Sequence, residues 1–228
     1  MPLPPRFYLP TLSEGQCTLD GSEAHHLLHV RRAKVGDHVE LFDGQGRYAA
    51  AELTGTGRSE VTLVASSIQV EDVPNLDVTI ASPFPKPDRA RWMIEKLTEL
   101  GVVAFVPLIT NRSVSSGKSI KTDKMSQYVI DACKQSRRNT LMQIAEPVAL
   151  ANFVPSGSPF VADQKGERFS GSPSLPATVV IGPEGGLDDE ELHLLSELGA
   201  ERVTFARHIL RVETAAIAAA VCLGQEPA

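Results

Sequence analysis

Past Val73-Pro74 the chain alternates short β-branched runs with segments of helical period, and this restricts the fold more than any other feature of its 228 residues. Leu76 to Ser82, Val102 to Ile109, Phe160-Val161-Ala162, Thr178 to Ile181 and Arg202 to Phe205 read as strands. Helical stretches separate or follow them. One is capped by Asp88, carries Trp92, Ile94, Leu97 and Leu100 near helical spacing and ends at Gly101; the others run over residues 122–138, 188–198 and 212–223. Parallel strands need crossover connections, and short apolar runs suit strands covered on both sides. The alternation therefore predicts an α/β domain, 73–228, with a mainly parallel sheet between helices.

Residues 1–72 obey another rule. His38 to Phe42 enters the turn Asp43-Gly44-Gln45-Gly46, and Tyr48 to Leu53 and Glu60 to Ala65 read as further strands. Short strands at this spacing suggest a small barrel or half-barrel. A short helix with Ser22 as its cap, running through His25, His26 and His29, interrupts them.

The net charge of −6 conceals an asymmetry. Residues 1–72 have a balance of −4 and residues 139–228 one of −7, whereas residues 86–138 hold eleven basic against five acidic side chains. Positive charge concentrated in one stretch is what a phosphate-backbone footprint requires, although solvated helix faces produce the same count. The N-terminus has no apolar core of signal-peptide length, and the longest apolar candidate for a membrane span, Ala215 to Leu223, is too short. Cys17, Cys133 and Cys222 lack any Cys-x-x-Cys spacing and read as free thiols of a reducing, cytoplasmic compartment. The three histidines have no matching cysteine or carboxylate spacing, so no metal is expected.

Two segments carry the chemistry. Gly182-Pro183-Glu184-Gly185-Gly186 follows an apolar strand and precedes a helix, where ligands of open α/β sheets collect. It matches neither nucleotide-binding glycine fingerprint. Glu184, Asp188, Asp189, Glu190 and Glu191 crowd the helix start, which disfavours phosphate and suits a phosphate-free, cationic ligand such as the sulfonium S-adenosylmethionine. A tight turn before a well-capped helix is the plainer alternative. The second segment, His208-Ile209-Leu210-Arg211-Val212-Glu213-Thr214, places polar side chains before an alanine-rich helix that another backbone can approach closely.

Ile181-Gly182-Pro183-Glu184-Gly185-Gly186-Leu187 together with Ile209-Leu210-Arg211-Val212-Glu213-Thr214-Ala215 resembles the 16S ribosomal RNA uridine-N3 methyltransferase family (RsmE) of the SPOUT class. The resemblance extends through Glu95-Lys96-Leu97-Thr98-Glu99-Leu100-Gly101-Val102, Asn111-Arg112-Ser113 and Ala132-Cys133-Lys134-Gln135-Ser136-Arg137-Arg138, and through Arg6-Phe7-Tyr8, His25-His26-Leu27 and Arg32 to Asp37. It departs at Phe205-Ala206-Arg207-His208, where the family often has leucine, glycine, proline and arginine, and at Val212, often threonine.

The resemblance implies a PUA-like barrel in 1–72, a SPOUT domain with a C-terminal trefoil knot, and a homodimer formed through the knot and the alanine-rich helix. It also implies a S-adenosylmethionine site built from Ile181 to Gly186 and Ile209 to Thr214, with the strand end Ala162-Asp163 approaching the adenosine. The implied reaction methylates N3 of a uridine in 16S ribosomal RNA, free or in the small subunit. Arg211, then Arg112, would stabilise the uridine anion, and Glu213 or Glu184 would take its proton. Arg31, Arg32, Lys86, Arg89, Arg91, Arg112, Lys121, Lys134, Arg137 and Arg138 are candidates for RNA contacts. The alternatives are a SPOUT methyltransferase with another RNA target and a non-catalytic RNA-binding assembly factor.

Overall fold

The computed structural model describes residues 3–70, 76–113, 122–171 and 173–224. The boundary expected at 72/73, and Lys121, lie outside the described residues. The chain divides into two compact units, residues 1–74 with 130–141 and residues 75–129 with 142–228.

The first unit contains β1 (Arg6–Tyr8), β2 (Gly15–Leu19), the helix α1 (Gly21–His25), β3 (His38–Phe42), β4 (Arg47–Thr56), β5 (Val61–Ala65) and β6 (Gln69–Val70). The sheet runs β1-β3-β4-β5-β2, with β6 on β4; β1 and β3 are parallel and the other pairs antiparallel. Strict alternation along β5, buried at Val61, Leu63 and Ala65, directs one face inward, as a half-covered sheet requires. Phe7, Leu19, Leu27, Leu41, Leu53 and Leu63 meet there almost without exposure. Burial stabilises by about 1.5–3 kcal/mol for each such side chain. The N-cap position is Asp20 rather than Ser22, without a side-chain capping bond, and the helix continues as a π-helical turn over His26–Val30.

The first unit also takes in the second half of α3 (Thr122–Ser136) and the stretch to Leu141. An ionic network holds it. Arg6, buried, lies 2.7 Å from Glu40 and donates to Asn139 and to the Cys133 carbonyl at 3.1 Å, with its guanidinium over the Phe42 ring. Arg137 reaches Glu40 at 3.0 Å, and Lys134 reaches Glu23 at 2.8 Å.

The second unit is the α/β layer expected from the alternation. Its strands are β7 (Leu76–Ser82), β8 (Val102–Ile109), β9 (Gln143–Ile144), β10 (Val148–Ala149), β11 (Ser158–Arg168), β12 (Ala177–Ile181) and β13 (Glu201–Thr204). All pairs are parallel, in the order β10-β8-β7-β12-β11-β13, with β9 on β8. β12 is buried at all five positions, consistent with cover on both faces. Helices α2 (Pro87–Glu99) and α5 (Val212–Leu223) pack together and α5 reaches β7 and β12, while α4 (Asp189–Glu197) sends Leu195 into a cluster with Val161 and Val180.

Three local expectations change. Lys86 is the N-cap of α2, because Pro87 starts the helix with its φ already set; Asp88 sits in the first turn. β11 has eleven residues instead of three, since its polar second half, after Ala162, rejoins β13 beyond a bulge. Trp92, counted with Ile94 and Leu97 on the apolar spacing of α2, is 44% exposed where those two are buried.

Candidate functional site

A cavity of about 650 Å³ opens where the carboxyl ends of β12 and β13 flank residues 161–165 of β11. One wall is the whole Ile181 to Leu187 segment, and another is formed by Phe205, Ala206, His208, Ile209, Leu210 and Val212. Two stretches with residues 188–204 between them in sequence thus converge on one space. Ala162 and Asp163 line it as well.

The glycine-rich wall is a turn closed by the Gly186 N–H on the Pro183 carbonyl at 2.8 Å, with Gly186 at φ +70°, a backbone that glycine adopts without a Cβ penalty. The helix behind it has a full capping box. Asp188 accepts from the Glu191 N–H at 2.9 Å and Glu191 accepts from the Asp188 N–H at 3.0 Å. The loop after β8 completes this arrangement. Asn111 donates from its backbone to Glu191 and from its side-chain amide to Asp188, both at 2.8 Å, and Arg112 donates to the Gly185 carbonyl at 2.9 Å. The Asn111 amide, followed by the Glu191 N–H, holds the Asp188 carboxyl below its ordinary range. Donors at this helix start are therefore already engaged by carboxylates, a poor phosphate site.

Opposite, β11 slips register on β13: Ala162 and Glu167 both face Val203, so residues 163–166 bulge from the ladder. Asp163 pins the bulge, accepting the Lys165 N–H at 2.8 Å and the Arg202 guanidinium. Burial works against its charge, but the Lys165 N–H and Arg202 outweigh it and hold the carboxyl below its usual range. Gly166 permits the close approach: a Cβ there would stand 2.6 Å from the carbonyl carbon and oxygen of Arg202 and from the Val203 nitrogen.

Ile181 to Gly186, Ile209, Leu210, Val212 and Arg112 line the cavity; Arg211, Glu213 and Thr214 do not. The reason is the start of α5. Arg211 is its exposed N-cap, and Glu213 is buried, its Oε1 3.5 Å from Arg89 Nε and its Oε2 without a hydrogen bond. Among the residues expected to contact RNA, Arg31, Arg32 and Lys86 are exposed. Arg89 pairs with Glu213, Arg91 with Glu95 at 2.7 Å while lying over the Tyr128 ring, Lys134 with Glu23 and Arg137 with Glu40; Arg138 is half-buried. Much of the basic excess in residues 86–138 is thus balanced internally. Lys165 and Arg202 were not singled out from the sequence, and Asn111 entered only as part of the Asn111-Arg112-Ser113 block, with no role assigned; Lys165 and Arg202 belong to a strand pairing that no local pattern announces.

The family description "RNA methyltransferase domain" fits residues 72–224, and "RNA methyltransferase PUA domain" fits residues 19–66. Ribosomal RNA small subunit methyltransferase E of Synechocystis is 32% identical, over 89% of this chain and 70% of that protein. The protein of the same name from Mycobacterium bovis is 31% identical over 96% and 89%. The crystal structure of ribosomal RNA small subunit methyltransferase E from Neisseria gonorrhoeae, bound to S-adenosyl methionine, superposes with a TM-score of 0.87 at 28% identity and covers 96% of each chain. With both sequence blocks meeting at one cavity and both domain families matched, the chain belongs to the ribosomal RNA small subunit methyltransferase E family.

Proposed function

We propose that this protein transfers the methyl group of S-adenosylmethionine to N3 of a uridine in 16S ribosomal RNA. The observation that carries the reading is the convergence of the Gly182–Gly186 turn and the 205–212 stretch on one cavity beside the carboxyl ends of β12 and β13 and the middle of β11. The residues present fit this cofactor. Apolar Val161, Ile181, Leu187 and Leu210 suit a nucleoside, the carboxylate-capped helix start suits a ligand without phosphate, and Glu184 and Asp189 line the space beside it.

Bound S-adenosylmethionine supplies an electrophilic methyl group for in-line displacement. The two backbone walls orient it, and alignment of donor and acceptor provides much of the rate. Arg112, held by Gly185, stabilises the negative charge on the uridine oxygens as the N3 proton leaves. Glu184, exposed on the turn, accepts that proton. Glu213 positions α5 through Arg89, and the exposed Arg211 joins Arg31, Arg32 and Lys86 as an RNA phosphate contact.

Among the described residues no helix is long and apolar enough to cross a membrane. The ribosomal substrate assigns the protein to the cytoplasm. The proposed assembly is a homodimer that covers the 80% exposed Ile209 and the exposed Val221 of α5. Light scattering then gives twice the 24.5 kDa chain mass; the mass of one chain rejects the dimer.

The function is tested by incubating the protein with ribosomal RNA or small subunits and S-adenosylmethionine, followed by mass mapping. A methyl group on N3 of one uridine is expected, and its absence from every RNA tested rejects the activity. Gly185→Val tests the site. A Cβ at Gly185 meets only Arg112 side-chain carbons at 3.6 Å, so the variant folds as the wild type does, while its added bulk abolishes cofactor binding. Unchanged affinity rejects this placement of the cofactor.

A further inference from the structure

Phe205 follows directly on the end of β13, and the structure gives it an aromatic support. It lines the cavity and is only half-buried. Its ring lies 5.4 Å from that of Phe169, which is 5.6 Å from Phe160 in an edge-on arrangement at 87°. Phe160 is buried on β11, so the three rings run from the core to the cavity wall. The backbone around Phe205 is tied on both sides: the Phe169 N–H donates to the Thr204 carbonyl at 3.0 Å, and the Thr204 hydroxyl donates to the Ala206 carbonyl at 2.9 Å. None of residues 205–208 has a positive φ, so this stretch is free of left-handed backbone strain.

We infer that Phe205 is a cofactor-positioning residue of this chain, an aromatic wall braced by Phe169 and Phe160 against which the purine of the cofactor packs. The inference rests on reading the cavity as the S-adenosylmethionine site. A half-exposed aromatic ring in a cavity leaves apolar surface in water, and a planar heterocycle is the ligand part that covers it with favourable quadrupole geometry. A leucine supplies apolar area without the π face. Bracing by two further rings restricts the Phe205 ring before the ligand arrives, which lowers the ordering cost of binding.

The test compares wild type, Phe205→Leu, Phe205→Tyr and Phe169→Leu, titrated with S-adenosylhomocysteine and with adenosine by calorimetry, with urea unfolding of each ligand-free protein as a control. Phe205→Leu is expected to weaken both ligands by about three- to tenfold. It should also reduce the hypochromism of the purine band on binding. Phe205→Tyr should retain affinity within about twofold, and Phe169→Leu should weaken it less than Phe205→Leu does. Undiminished affinity and hypochromism in Phe205→Leu, or a loss for S-adenosylhomocysteine with none for adenosine, overturns the inference. If Phe205→Leu does not fold, Phe169→Leu decides, and unchanged adenosine affinity there overturns it. A wild type that binds neither ligand refutes the cofactor site itself, a result distinct from any difference among the variants.

Discussion

Gly166→Ala isolates the close approach that closes one wall of the cavity. The new methyl would lie 2.6 Å from three backbone atoms of Arg202 and Val203, and ordinary contact begins at 3.4 Å. Something must therefore move by about 0.8 Å, the difference of those distances. The obstacle is the backbone of β13, fixed in a parallel ladder with β11, so rotamer changes cannot relieve it. Overpacking of this kind costs about 1–3 kcal/mol. For a chain of this length that lowers the melting temperature by about 2–4 °C per kcal/mol. The displacement also moves residues 163–166 and separates Asp163 from Arg202, so affinity for S-adenosylhomocysteine falls together with stability. Calorimetry for binding and thermal unfolding for stability measure both effects. Gly185→Ala is the control, since its methyl meets only side-chain carbons at 3.6 Å and should leave the melting temperature unchanged. A Gly166→Ala protein with wild-type stability and wild-type affinity would show that the bulge is not held by this contact.

Three further outcomes follow from the same geometry. Arg6→Ala leaves Glu40 paired with Arg137 among the described residues and strips Asn139 of a buried donor, and urea unfolding should register a loss of about 3–5 kcal/mol; a loss below ~1 kcal/mol would mean the network is not integral to the first unit. The folded Asp163 carboxyl titrates below its ordinary 3.8, so its contribution is present above that pH and disappears as pH falls through the folded value. Wild type and Asp163→Asn should accordingly differ in melting temperature near neutrality and converge in acid, whereas a pH-independent gap refutes the assignment. Arg112→Ala is expected to lower turnover by about 10²–10³ with S-adenosylhomocysteine affinity little changed; full turnover removes Arg112 from the chemistry.

Local pattern was enough for the elements whose signal is local. The β-branched runs at Leu76–Ser82 and Val102–Ile109, and the helix Val212–Leu223, end where the sequence predicts, because the strands are largely covered and the helix buries Ala215, Ala216, Ala219 and Ala220 between Val212 and Leu223. The carboxylate-rich start of α4 likewise announced its own cap, and the place of Gly182 to Gly186 between strand and helix marked the turn that lines the cavity. β11 was shortened because Asp163-Gln164-Lys165-Gly166-Glu167-Arg168 is polar; what keeps it in the sheet is a bulge bound to β13, forty residues onward.

Charge shows where the sequence reading stopped. Counting located the basic surplus in residues 86–138, but it carried no information on whether Lys134, Arg137 or Arg89 would face solvent or a carboxylate far away in sequence. Glu213 belongs to the same class: adjacent to a cavity-lining residue in sequence, it is turned by the first turn of a helix toward Arg89 and away from the site. Periodicity, turns and caps are properties of neighbours along the chain, and the sequence alone determined them. Which cations are neutralised, which strand holds the bulge and which rings brace Phe205 depend on contacts between distant segments, and only the tertiary structure decided these.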